Sequence, residues 1–304
     1  MPDRVKIQHY VPRSYLRYFA RNRRYLFVFD KHVGRKFRTT VDNVAAEKYF
    51  YDLPSESDQA LEHAFARMVD GNYPGWVDDI LSTADSGRRV NHKQKKNLAF
   101  FIALQTLRTR WLRNANIEVL NQIEEAFSHL SKKFEQKHGI PLRPDASLSA
   151  LLSADKEGTA KLDQIASIED PDAVQSIVEI LLNHIWIVGI NKTDQPFYTS
   201  DNPVVRRAHK SDPVRSYSGL RSEGIEIAFP LTPKCIVVLF ERTFHTDLEV
   251  LDCAFMPIDE NGVVYGYNAL QVCDSHRWIF SSSNDFGLAE EICDDVSGEH
   301  FSKE

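Results

Sequence analysis

Asn91-His92-Lys93-Gln94-Lys95-Lys96-Asn97-Leu98-Ala99-Phe100-Phe101-Ile102-Ala103-Leu104-Gln105-Thr106-Leu107-Arg108-Thr109 opens a run that continues to about Lys137 and decides the fold. Along it Leu98, Phe101, Ile102, Gln105, Leu112, Ile117, Leu120, Ile123, Phe127, Leu130 and Phe134 recur at helical spacing, so one face of a helix is apolar. The spacing predicts one long helix, or two joined near Asn114 to Asn116. Beyond it, Gly139 to Asp145 carries Pro141 and Pro144 and reads as a linker, and Ala146 to Asp172 is polar with short helical patches. Ala173 to Ile190 reads as a second helix, buried because Ile180 to Ile187 is apolar nearly all round.

On the N-terminal side, Gln8 to Pro12 reads as an extended entry followed by a short helix from Ser14. Tyr25 to Asp30 and Lys36 to Val41 flank a turn containing Gly34, which predicts a hairpin. A helix carrying Leu61, Ala64, Phe65, Met68 and Val69 is expected to be capped by Ser57 or Asp58 and stopped by Asn72 to Gly75, with another short helix from Trp76 to Ala84. On the C-terminal side, Phe197 to Ser200 is expected as a strand, and Gly224 to Phe229 with Cys235 to Phe240 as a strand pair. Asn268 to Phe280 is expected as a helix, with a frayed end from Asp294. The expected class is α+β: a helix-rich single large domain, with central long helices on a small, mostly antiparallel sheet. Residues 1–56 form a basic strand and hairpin segment, 57–190 a helical region, and 191–304 a strand-rich region that closes the same domain.

The 304 residues are 42% hydrophobic and 26% charged, which excludes disordered and collagen-like chains. No apolar run approaches the roughly 20 residues that span a bilayer. The first residues lack the apolar core of a secretory signal, so a cytoplasmic protein is expected. Cys235, Cys253, Cys273 and Cys293 lack the paired short spacing of zinc ligands and are read as buried small hydrophobes. The net charge of -6 hides an asymmetry: Met1 to Arg38 holds eleven basic and two acidic residues, a net +9, leaving -15 for the rest. A clustered basic segment on an acidic body suits a local polyanion site, through counterion release, or equally a solvated basic surface.

Phosphate-loop, dinucleotide, zincin and nucleophile-elbow motifs are absent, so chemistry has to come from separated residues. Gln105 and Arg108 share a helix side and can hold a base edge, a phosphate or an internal carboxylate; a structural network with Glu47 or Glu62 explains them as well. Ser200-Asp201-Asn202-Pro203 follows a strand, and Pro203 keeps Asn202 out of the helical region, presenting Asp201 as the candidate catalytic carboxylate. An Asx-turn is the alternative. His9 can act as acid, base or phosphate contact, or simply anchor the chain entry; His184 reads as a core histidine. Tyr10, Tyr15, Tyr18 and Tyr49-Phe50-Tyr51 can stack on an extruded base or pack the core.

Gln8-His9-Tyr10-Val11-Pro12 with Tyr15-Leu16-Arg17-Tyr18-Phe19, Ala46-Glu47-Lys48-Tyr49-Phe50-Tyr51, Phe101 to Thr109, Ser200 to Pro203 and Phe229-Pro230-Leu231-Thr232-Pro233 occur in an order that resembles the domain-of-unknown-function family 4238, over about Lys6 to Phe240. The family includes antiphage DNA glycosylases that excise glucosylated hydroxymethylcytosine and leave abasic sites. Resemblance to those members implies that Asp201 stabilises an oxocarbenium-like sugar or positions water, assisted by Asn202 and His9. It further implies that Gln8, Tyr10, Glu47, Tyr51, Gln105, Arg108 and Ser200 surround the substrate, and that Arg13, Arg17, Arg21, Arg35, Lys36 and Arg38 track the backbone of double-stranded DNA.

Such a reaction is monofunctional and uses water, with neither metal nor other cofactor, and no obligate protein partner is expected. Two alternatives remain at this point: a nuclease or phosphodiesterase whose metal is gathered by Glu47, Glu62 and Asp201, and a non-catalytic nucleic-acid-binding defence module.

Overall fold

The computed structural model describes residues 6–52, 60–140, 142–152, 154–213 and 215–301. The decisive run forms two helices, α4 (His92–Arg108) and α5 (Arg110–His138). Asn91 and Gln94 close a reciprocal capping box at the start of α4, with Asn91 Oδ1 accepting the Gln94 N–H at 3.0 Å and Gln94 Oε1 accepting the Asn91 N–H at 2.9 Å. The break falls at Thr109 rather than at Asn114 to Asn116. Thr109 is extended (φ -78°, ψ 151°) and its hydroxyl accepts the Leu112 N–H, so one residue ends α4 and caps α5. Gly139, at φ 73°, supplies the left-handed stop of α5.

Several other boundaries also differ from the sequence expectation. Asn72 to Gly75 starts α3 (Tyr73–Asp85), with Pro74 in the first turn where its missing N–H costs nothing. Before it lie α2 (Ala60–Phe65) and a π-helical turn (Ala66–Asp70), while the proposed caps Ser57 and Asp58 lie outside the described residues. The polar stretch forms α6 (Ala146–Leu152) and α7 (Lys156–Glu169). The apolar run after it divides into α8 (Pro171–Leu182) and strand β5 (Ile185–Asn191), correcting the single helix expected over Ala173 to Ile190. Likewise α9 spans Asn261–Asp274 and is followed by β11 (Trp278–Ser281), and the chain beyond Asp294 continues α10 (Gly287–Phe301).

The strands make three sheets. β1 (Ile7–His9) pairs antiparallel with β4 (Ala46–Lys48), after α1 (Arg13–Leu16) and the hairpin β2 (Tyr25–Asp30) and β3 (Arg35–Thr40). The hairpin extends, through β11, to β6 (Thr199–Ser200), giving the order β3-β2-β11-β6 and joining sequence regions that lie far apart. The third sheet is β10-β5-β9-β8-β7, with β7 (Val205–Ala208), β8 (Ile225–Thr232), β9 (Cys235–Phe240) and β10 (Ala254–Ile258); the β10–β5 pair is parallel and the rest antiparallel. The class is therefore α+β and helix-rich, as the periodicities require.

Alternation along these strands sorts the core. Trp186, Val188, Val237 and Leu239 join the large cluster with Leu98, Phe101 and Ile102 of α4, whereas Ile236, Val238 and Ala228 face α9 through Val264. Phe29, Ile279, Val272 and Phe286 pack a smaller core between the hairpin sheet, α9 and the start of α10. Cys235 alone of the four cysteines is buried; Cys253 and Cys293 are half-buried and Cys273 is exposed.

Candidate functional site

Ser200, Asp201 and Asn202 leave β6 and are fastened, one after another, to the end of α9 and the start of β11. The Ser200 hydroxyl donates to Gln271 Oε1 at 2.7 Å, while Gln271 Nε2 donates to the Pro203 carbonyl. Asn202 Nδ2 donates to the Asp274 carbonyl at 3.0 Å. Asp201, 1% exposed, accepts three backbone N–H groups: His276 at 2.8 Å on one oxygen, and Arg277 at 2.8 Å and Trp278 at 2.9 Å on the other. Burial raises its pKa to about 6, with the three N–H bonds working against that rise. At neutral pH Asp201 is mostly ionised and is neutralised by backbone dipoles alone among its hydrogen-bond partners.

Around this carboxylate the fold gathers groups from distant segments. Tyr10 follows β1 and its ring lies 5.2 Å from that of Phe50; burial, then the charges of Asp201 and Glu47, push its hydroxyl pKa well up, while Arg110 pulls it back. Glu47, opposite Gln8 in β4, has a side chain 41% exposed and lies 3.8 Å from Arg110 at the start of α5. Arg110 also holds Glu157 at 2.6 Å. The half-buried His276 ring sits 3.1 Å from the Asn114 side-chain amide, and its carbonyl lies 3.1 Å from His32 Nε2. Burial first, then the charges of His32, Arg110, Lys31 and Arg277, lower the His276 pKa. Arg277 reaches Asp30 with three contacts of 2.6 to 3.0 Å; burial opposes ionisation of Asp30, but this guanidinium holds its carboxyl below the usual range.

Gln8 of β1, with Tyr51, Gln105 and Arg108, bonds to the chain itself. Gln8 Oε1 accepts the Tyr51 N–H at 2.7 Å and its amide donates to Asp52. Gln105 Nε2 donates to the Tyr10 carbonyl at 3.0 Å. Arg108 donates to the His9 carbonyl at 3.0 Å, to the Tyr51 hydroxyl at 3.3 Å and to Asp70 at 3.2 Å, with its guanidinium 3.9 Å from the Phe65 ring centre. The acid opposite Arg108 is Asp70, in place of the expected Glu47, which meets Arg110; the side chain of Glu62, the other expected acid, lies outside the described residues. Burial lowers the His9 pKa to about 4, aided by the charge of Arg13, and Nε2 of His9 is buried without a hydrogen-bond partner among the described residues.

The sequence pattern named Tyr10, Glu47 and Asp201, which the fold brings into one electrostatic neighbourhood, and missed Arg110, Asn114, His276 and Arg277. The Thr109 cap was the signal for Arg110; His276 follows no motif and enters through β11. Arg13, Arg17, Arg21, Arg35, Lys36 and Arg38 are all exposed. Arg13 pairs with Asp42 and Lys36 with Glu290, whereas Arg21, Arg35 and Arg38 lie over Phe27, Phe37 and Tyr25. Among the described residues no group of three or more His, Cys, Asp or Glu is placed to hold a metal ion, and no helix is long and apolar enough to cross a membrane.

The sequence profile of the family described as "Protein of unknown function (DUF4238)" matches residues 7–285, extending the resemblance past Phe240 through α9 and β11. No curated protein and no solved structure matches the chain.

Proposed function

The chain belongs to the DUF4238 family, and we propose that it is a DNA N-glycosylase acting in antiviral defence, which flips out a modified base such as glucosylated hydroxymethylcytosine and hydrolyses its N-glycosidic bond. The observation that carries this reading is the neighbourhood of Asp201: a buried carboxylate ionised at neutral pH, with Tyr10, Arg110 and His276 around it and the solvent-reachable carboxylate of Glu47 close by. Cleavage of the bond builds positive charge on the sugar, and a fixed negative charge in a dry setting stabilises that charge more than water does. Asp201 supplies the fixed field. Glu47 takes the proton of the attacking water, and Arg110 steers its carboxylate. The water oxygen bonds to the sugar C1′, the base leaves with the bonding pair and acquires a proton, and an abasic site remains. The exposed arginines of the N-terminal segment hold the DNA backbone in the cytoplasm of a bacterial cell.

Purified protein, with a chelator present, is incubated with DNA containing glucosylated hydroxymethylcytosine or with unmodified DNA, then treated with mild alkali and sized. Breaks that require alkali are expected only in modified DNA. Glu47→Gln is expected to lower the excision rate by about 100-fold or more while leaving the unfolding midpoint unchanged. Intact modified DNA with folded protein overturns the reading, and breaks that need no alkali once magnesium replaces the chelator point to a nuclease instead.

A further inference from the structure

The turn that leads into β2 contains an anomaly. Arg21-Asn22-Arg23-Arg24 closes with the Arg24 N–H donating to the Arg21 carbonyl at 3.1 Å, and both central residues are left-handed, Asn22 at φ 52° and Arg23 at φ 55°. A two-residue turn of this hand favours Asn-Gly, because a side chain at the second position crowds the backbone. Asn22 obeys that preference; Arg23 stands where glycine is the unstrained choice. Local strain held by the surrounding fold marks a position where the side chain is needed for something other than stability.

What the strain secures is a row of guanidinium groups. Arg17, Arg23 and Arg24, all exposed, line an open concavity with Val41 and Asp42. Asp42 faces the same hollow but is held by Arg13 at 2.9 Å. The guanidiniums are propped on aromatic rings: Arg23 lies 5.1 Å from the ring centre of Tyr18, and Arg24 5.2 Å from that of Tyr25. Arg38 lies over the same Tyr25 ring at 4.3 Å, so the positive charge runs on from the hollow to the edge strand β3. Contact with the rings limits the motion of these side chains and reduces the entropy lost when they grip a ligand. Four cations on one continuous surface exceed what one phosphate neutralises; their chemistry fits successive phosphates of an extended chain.

We infer that the concavity of Arg17, Arg23 and Arg24 seats the phosphodiester backbone of DNA, which continues toward Arg38. The inference rests on DNA being the partner and adds where the strand enters. It also assigns Arg23 and Arg24, which charge counting did not separate from their neighbours.

The test uses Arg23→Gly in the full chain. Glycine relaxes the turn, so the unfolding midpoint rises by about 1–3 °C, while binding to an unmodified labelled DNA duplex weakens about 3- to 10-fold at 0.1 M salt and the salt slope of log K falls by about 1. A raised midpoint with unchanged affinity and slope overturns the proposal. If the midpoint falls instead, because the Tyr18 contact outweighs the strain, the double variant Arg17→Ala, Arg24→Ala decides: unchanged duplex binding overturns the proposal and weakened binding upholds it. Displacement of duplex by low millimolar inorganic phosphate overturns it in favour of a small-anion pocket. Wild-type protein that binds duplex with the full slope but leaves modified DNA intact keeps this surface and rejects the glycosylase reading; failure to bind duplex rejects the surface whatever happens to the bases.

Discussion

Two buried carboxylates, Asp201 and Glu226, are each 1% exposed and are stabilised in opposite ways. Glu226, on β8, is held by side chains: Arg207 of the edge strand β7 makes three contacts of 2.8 to 3.1 Å, and His209 Nε2 lies at 2.6 Å. Asp201 is held by three consecutive backbone N–H groups of the segment that starts β11. The Arg207 side chain, 42% exposed, can turn to water if its partner is lost; the N–H groups facing Asp201 cannot move without moving the strand. The first arrangement is a reversible ion pair at a sheet edge. The second makes a catalytic-looking carboxylate inseparable from the local fold, and among the described residues no cation is hydrogen-bonded to it; Lys31, bonded to the carbonyls of Val272 and Ser275, acts on it through charge alone.

Breaking the second arrangement has the largest expected effect. Asp201→Ala orphans three buried donors and is expected to cost about 3–6 kcal/mol of unfolding free energy in urea. A cost under about 1 kcal/mol would show that water reaches those N–H groups and that the site is open.

Next comes acidity. The Asp201 pKa in the folded chain, about 6, lies above its ordinary 3.8, so its contribution is fully present below pH 3.8 and is lost as pH rises through 6, a change of about 3 kcal/mol. His9 has the reverse sign: its folded value, about 4, lies below 6.5, so its contribution is present above pH 6.5 and is lost as pH falls through 4. The two oppose each other between pH 4 and 6. His9→Gln is expected to unmask the Asp201 trend, gaining stability relative to wild type as pH falls from 7 to 4.5 in urea titrations; a pH-independent difference would remove His9 from the balance.

Smaller again is Glu226→Gln, expected to cost about 1–2 kcal/mol because Arg207 resolvates. A loss equal to that of Asp201→Ala would erase the distinction between the two carboxylates. The smallest effect is expected for Thr109→Ala, about 1 kcal/mol from the lost cap, measured by thermal unfolding.

The sequence was readable wherever structure is local. Gly34, at φ 61°, between two strand-like runs pointed to the hairpin, and the apolar stripe to α4, whose Asn91 cap only the structure shows. It was ambiguous at Ile180 to Ile190, because a short run apolar on all sides fits a buried helix or a buried strand. The strand is settled by tertiary packing at Gly189, where a Cβ would stand 2.5 Å from Ile258 Cδ1 of β10. The same ambiguity hid β11. Asp201 was visible as a carboxylate after a strand, but its partners are main-chain groups 75 to 77 residues away, and backbone N–H groups leave no mark in a sequence. Gln105 and Arg108 were visible as polar groups on an apolar stripe; only the fold reveals that they grip the carbonyls of Tyr10 and His9.

The pairing of β2 with β11 has a consequence for how the chain is made. Asp30 meets Arg277 across 247 residues, so the hairpin sheet cannot be completed until the segment 278–281 has left the ribosome. At about 5–20 residues per second that wait is on the order of 10–50 s. During it the hairpin is a two-stranded ribbon with an unpaired edge, marginally stable in water and open to adventitious pairing. Its arginines repel a second copy of the same ribbon, so the charge that suits a polyanion also protects the nascent chain.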